Sequence, residues 1–191
     1  MSPARVPGVR PPRPQPPEVN PRSLVLVNTG DGKGKSTAAF GVILRAVARG
    51  WRVCVIQFIK SGKWKVGEEK VGRQLGVDWL KGGDGFTWES PDLDQSRGRA
   101  VAAWQLAEAA IKGGEYQLVV LDEITYPMNW QWIDSRAVLE TIRNRPDRVN
   151  VIATGRDAPP ELIELADTVT EMVKVRHAYD RGIRARRGLD F

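Results

Sequence analysis

The residues best suited to chemistry cluster in TGDGKGKST at 29–37, between an apolar run and a helical pattern. A strand that breaks into a glycine-rich turn and then a helix is the setting of a phosphate-binding loop. Gly30, Gly32 and Gly34 let the backbone curl so that its N–H groups face phosphate oxygens. The helix that follows adds its positive N-terminal end. Lys35 is placed to reach the terminal phosphates, Ser36 to put its hydroxyl on Mg²⁺, or Mn²⁺ in its place, and Thr37 follows in the same turn. The usual spacing has glycine where this chain has Thr29, so the loop is one residue short and its path around the phosphates is expected to differ.

A second cluster, LVVLDE at 118–123, is an apolar strand ending in two acids. Carboxylates at the carboxyl end of a parallel strand face the crevice where ligands bind. Asp122 and Glu123 are therefore the metal candidates opposite Ser36. Successive strand residues point to opposite sides, so only one of the two should face the metal. Among the basic residues, Lys33 lies within the loop and is expected on the triphosphate. Arg156 follows a strand end and can contact phosphate, or form a structural ion pair instead. Arg45, nine residues after Ser36 on the same helix, is a candidate for ribose or phosphate. Asp31 either fixes the turn or meets the ribose. Gln57 and Lys60 end a strand near the crevice, with substrate contact and plain packing both open. His177 either ties down the C-terminal segment or lies near the nucleotide base.

These groups need a scaffold, and the chain supplies its pattern from Leu24 onward. Continuous apolar runs at 24–27, 53–59, 118–122 and 149–153 read as strands buried on both faces. Helical patterns fall between them at about 36–49, 96–112, 135–144 and 159–166. The alternation predicts an α/β fold: one P-loop NTPase-like domain, residues 23–191, with a mostly parallel sheet of five or six strands flanked by helices. Residues 60–95, rich in Gly, Lys and Trp, read as an irregular insertion. Residues 1–22 hold eight of the thirteen prolines and read as an extended arm.

Composition narrows the function classes. One cysteine, Cys54, and one histidine cannot build an internal disulfide or a Cys/His zinc cluster, and a reducing cytoplasm suits such a chain. No apolar stretch reaches the roughly 20 residues needed to span a bilayer, and Arg5, Arg10 and Arg13 are not followed by the apolar segment of a secretory signal. The arm carries +3 of the chain's +6 net charge. The remainder is mild for a nucleotide-binding domain, so neither a membrane nor a nucleic-acid partner is expected.

TGDGKGKSTAAFG (29–41), VIQFIK (55–60), GFTWE (85–89), VVLDEITY (119–126), TGR (154–156), ELADTVTEM (164–172) and HAYDRGIRARRGLDF (177–191) together resemble the P-loop family of corrinoid adenosyltransferases. The resemblance runs in order from about residue 24 to 191, and the shortened loop is part of it. It implies transfer of the 5′-deoxyadenosyl group of ATP to the Co(I) of a reduced corrinoid, with release of triphosphate, in cobalamin biosynthesis or salvage. It also implies that ATP lies in the loop in the sense opposite to that in ordinary hydrolases. Phe86 and Trp88 would pack against the lower face of the corrin and exclude its axial ligand, and Lys35 would serve the leaving group. A homodimer and a reduced flavoprotein as electron donor are further implications.

Two other readings remain open to the residues alone. A kinase or ATPase would move the γ-phosphate and would need Glu123 to orient the acceptor. A nucleotide-dependent nucleic-acid binder would use the basic character, reflected in a pI near 9.7, and its binding would weaken steeply with salt.

Overall fold

The computed structural model describes residues 23–59, 67–81 and 93–190. Six strands are present among them: β1 (Val25–Thr29), β2 (Val53–Gln57), β3 (Asp78–Lys81), β4 (Leu118–Asp122), β5 (Asn150–Thr154) and β6 (Thr168–Glu171). They form one sheet in the order β3-β2-β4-β5-β1-β6, with every pairing parallel.

The helices are α1 (Lys35–Ala48), α2 (Gly67–Gln74), α3 (Leu93–Gly113), α4 (Thr125–Asn129), α5 (Ser135–Arg143) and α6 (Pro160–Leu165). Strand side chains alternate between two cores. Val53, Val55, Leu118, Val120 and Ile152 pack with Ala39, Phe40, Ile43 and Ala46 of α1 and with Trp79. Val25, Val27, Cys54, Ile56, Val119, Leu121, Val151 and Ala153 face the side of α3, α5 and α6. Helices on both faces explain why the runs are apolar throughout rather than alternating.

Local signals account for several boundaries. The Asp134 side chain caps α5 by accepting from Arg136 N–H at 2.9 Å. Pro160 opens α6, where its missing N–H costs nothing. Gly50, at φ 73°, ends the turn after α1.

The insertion expected at 60–95 is more ordered than its pattern suggests, since α2 and β3 lie inside it. In α2 only Gly72 is buried, so no apolar periodicity marks the helix. Its fit depends on that glycine: a Cβ there would lie 2.8 Å from the Trp79 ring. The edge strands β3 and β6 are four residues each, and every residue of β6 is exposed. An apolar pattern could not reveal them, because neither strand is buried on both faces.

Because all six strands run the same way, their carboxyl ends share one rim. β5 lies between β1 and β4, so the two motif-bearing strands are separated by one strand width, a gap open to a ligand.

Candidate functional site

The phosphate loop leaves β1 at Thr29 and enters α1 at Lys35, and it is pinned at several points. Asn28 Nδ2 donates to Lys35 O at 3.1 Å, and Thr29 Oγ1 accepts the Ala158 N–H at 3.1 Å. Gly32 N–H donates to Met172 O at 2.5 Å, and Met172 N–H donates to Thr29 O at 2.8 Å. A Cβ on Gly30 or on Gly32 would lie 2.6 Å from Met172 O, so both glycines are required by close approach to the chain leaving β6. Gly34, at φ 116°, turns the chain into α1. The sequence expectation that these N–H groups all face phosphate therefore needs one correction: the Gly32 N–H is committed to Met172.

Above the loop is a cleft of about 310 Å³. The loop contributes residues Asp31 to Thr37, β4 contributes Glu123 at its end, and the β5–α6 turn contributes Arg156. Tyr126, Glu68, His177 and Asp190 complete much of the wall. Lys35 Nζ donates to Gly30 O at 2.6 Å and to Gly32 O at 2.7 Å, folding back over the loop. Burial, reinforced by the Arg156 guanidinium, holds its pKa below the ordinary lysine value. Arg156 lies 3.8 Å from the Asp31 carboxylate, and Lys33 pairs with Asp190. Burial first, and then the Glu123 carboxylate, raise the Tyr126 pKa, so its phenol stays protonated at neutral pH.

The two acids at the end of β4 part ways, Glu123 standing one residue beyond the strand at φ 65°. Glu123 lines the cleft. Asp122 is fully buried; Thr154 Oγ1 donates to its Oδ1 at 2.9 Å and Gln57 Nε2 to its Oδ2 at 3.0 Å. Asp122 is thus turned into the sheet and away from the position expected of a metal ligand, and Gln57 belongs to the same buried group. The expected roles of Thr29 and Arg45 also change. Thr29 is nearly buried and holds the Ala158 turn. Arg45 is exposed in the last turn of α1, ten residues beyond Lys35 and so about 15 Å along the axis. Neither borders the cleft. Lys60, Phe86 and Trp88 lie outside the described residues.

Sequence reasoning did not single out Glu68, Tyr126, Asp190 or Thr154. Tyr126 and Asp190 stand inside stretches that carry the family resemblance, so a signal existed. Glu68 stands in the unpatterned insertion, where none did. Beside the cleft, and sharing Thr37, Phe40 and Glu68 with it, runs an apolar groove of about 470 Å³ between α1 and α2.

Among the described residues no three His, Cys, Asp or Glu side chains converge as a metal site. Among its oxygen donors, the cleft sets the Ser36 hydroxyl of the loop and the Glu123 carboxylate beyond β4 on one space. That set suits Mg²⁺, which takes one or two protein ligands and completes its shell with phosphate oxygens and water.

Comparison with known proteins adds to this geometry. Residues 21–191 match the model of the family described as ATP:corrinoid adenosyltransferase BtuR/CobO/CobP. A corrinoid adenosyltransferase of Pseudomonas aeruginosa is 42% identical over 172 residues, covering 89% of this chain and 84% of that one. One from Escherichia coli K12 is 38% identical over 170 residues, covering 89% and 86%. The corrinoid adenosyltransferase CobA of Salmonella typhimurium is 39% identical over 170 residues with the same coverage.

Proposed function

The chain belongs to the ATP:corrinoid adenosyltransferase BtuR/CobO/CobP family, and from that premise we propose that its cleft grips the departing triphosphate of ATP through Lys33, Lys35, Ser36, Glu123 and Arg156. The enzyme transfers the 5′-deoxyadenosyl group of ATP to a reduced corrinoid in cobalamin synthesis. Membership does not favour the γ-phosphate-transferring alternative.

One observation carries the reading: the cleft gathers Lys33, Lys35, Arg156, the loop and the Glu123 carboxylate around a single space at the sheet's carboxyl rim, with Asp31, Glu68 and Asp190 also on its wall. In this reaction Co(I) attacks the 5′ carbon, the Co–C bond forms as the C–O bond breaks, and the electron pair leaves on triphosphate. Co(I) is already a strong nucleophile, so the protein need not supply a base at the attacked carbon. Its task is to hold the leaving group in line and to stabilise the charge that develops on it. Lys35, once drawn from the Gly30 and Gly32 carbonyls onto phosphate, and Arg156 are placed for that. Asp31 orients Arg156 from across the cleft. Tyr126, protonated, offers a donor without adding charge. Ser36 and Glu123 would hold Mg²⁺, which when bound neutralises phosphate charge. The apolar groove beside the cleft gives the substrates a wall that excludes water.

Residues 23–191 form the catalytic domain and 1–22 an arm. Phe86 and Trp88 serve the corrinoid side. Two chains associate, a reading supported by the exposed Val169, Val173 and Val175 along β6 and beyond. A reduced flavoprotein supplies the electron that makes Co(I). The compartment is the cytoplasm, where the buried free thiol of Cys54 would persist. No helix among the described residues is long and apolar enough to cross a membrane.

The deciding experiment is product analysis with ATP, Mg²⁺ and chemically reduced cobalamin. Adenosylcobalamin and triphosphate are expected in equal amounts. Stoichiometric pyrophosphate or orthophosphate would overturn the chemistry.

A further inference from the structure

We propose that Thr154, at the end of β5, is a positioning residue that aims Glu123 into the phosphate cleft. This rests on the reading of Glu123 as a ligand of the ATP-bound metal. Thr154 is fully buried. Its Oγ1 donates to Asp122 Oδ1 at 2.9 Å and accepts the Glu123 N–H at 2.9 Å. A hydroxyl has one proton, and here it is directed at Asp122 Oδ1. The lone pairs of Thr154 are thereby turned to the Glu123 N–H.

That bond matters because of the backbone it holds. Glu123 stands at φ 65°, in the left-handed region that residues with a Cβ seldom adopt. The turn lifts its side chain out of the strand plane and over the cleft, where it faces the loop residues Lys35 and Ser36. A strained residue keeps such a conformation only when its surroundings fix it, and here the fixing group belongs to the neighbouring strand. Asp122 is in turn held from its other side by Gln57 of β2 at 3.0 Å. Three adjacent strands thus contribute one side chain each, and the adjoining acid receives its direction from them. Asp122 then orients Thr154 rather than holding the metal. Its burial, which removes it from the cleft, is what makes it effective on Thr154.

The test uses full-length protein without corrinoid, so that ATP binds but does not turn over. ATP affinity is measured by calorimetry with Mg²⁺ and with EDTA for wild type, Thr154→Ser, Thr154→Cys, Thr154→Val and Glu123→Gln. Thr154→Val should weaken Mg²⁺-dependent binding at least tenfold and leave metal-free binding within twofold. Thr154→Ser should retain Mg²⁺-dependent binding within threefold of wild type, and Thr154→Cys, with a weak donor, should fall between. Any two of these that fold give the order. Mg²⁺-dependent binding unchanged across the series, or equal losses with and without Mg²⁺, would overturn the positioning role provided Glu123→Gln shows a metal-dependent loss. If Glu123→Gln shows none, the metal reading itself fails and the inference falls with it.

Discussion

The N–H of Gly32 donates to the carbonyl oxygen of Met172 at 2.5 Å, so the phosphate loop rests on the chain leaving β6. A methyl group at Gly32 would lie 2.6 Å from that same oxygen and 2.8 Å from the Val173 carbonyl carbon. Both are backbone atoms and cannot swing aside. Gly32→Ala should therefore displace the loop or the β6 end. We expect at least a tenfold loss of ATP affinity by calorimetry and destabilisation by about 1–3 kcal/mol in urea unfolding. Gly41, on the exposed side of α1 with nothing near its missing Cβ, gives the opposite sign. Gly41→Ala should stabilise by about 0.5–1 kcal/mol, since the helix no longer has to restrain a glycine.

Lys35 separates stability from activity. Burial and Arg156 both disfavour its charge, while the Gly30 and Gly32 carbonyls accept hydrogen bonds from it. Lys35→Met removes a cation that the fold tolerates rather than requires. Its melting temperature at pH 7 should stay within a few degrees of wild type. The leaving triphosphate loses a charged donor, for which about 10²–10³ in kcat is the usual cost of such a group. A coupled assay for adenosylcobalamin beside a thermal melt checks both. A collapse of the melt in parallel with activity would show that Lys35 serves the fold instead.

The legible parts of this chain were those where chemistry or two-sided burial writes a pattern. The glycine spacing at 30–34 and the buried runs of β1, β2, β4 and β5 gave the sheet core and the loop. They could not give α2 or β6, whose residues are largely exposed and carry no apolar period. Nor could they order the two acids at 122–123, because which one turns outward depends on Thr154, thirty-one positions beyond Glu123 in sequence and adjacent only after β5 pairs with β4. Arg45 shows the converse limit: being on the right helix did not place it at the right end of it.

The buried thiol of Cys54 supplies a pH signature. Burial raises its pKa from the ordinary 9.0 to about 12. Between those values the unfolded chain has released a proton that the folded chain keeps, so stability is full below pH 9 and falls as pH rises. The slope from this one group is about 1.4 kcal/mol per pH unit. Tyr116, raised from 10.0 to about 12 by burial and by its hydrogen bond to Asp78, acts in the same direction over a narrower window. In Cys54→Ala the starting stability should be lower and the decline between pH 9 and 11 shallower, measured as urea midpoints at stepped pH. An unchanged slope would mean that the thiol ionises freely in the fold.

Trp88 offers a test that distinguishes ligand exclusion from simple substrate packing. Co(II) in a corrinoid keeps an axial ligand, which places the electron to be added in a destabilised orbital. Removing that ligand makes reduction far easier, and bulky apolar rings can occupy the vacated space while keeping water out. Co(I) needs no such help, being four-coordinate once formed. Trp88→Ala should therefore lose much more activity when the assay starts from Co(II) with an electron donor than when it starts from chemically prepared Co(I). A ring that merely binds the corrin would affect both assays alike, since both need the corrin in place. Equal losses would therefore assign Trp88 to binding, and the ease of reduction would have to come from elsewhere in the protein.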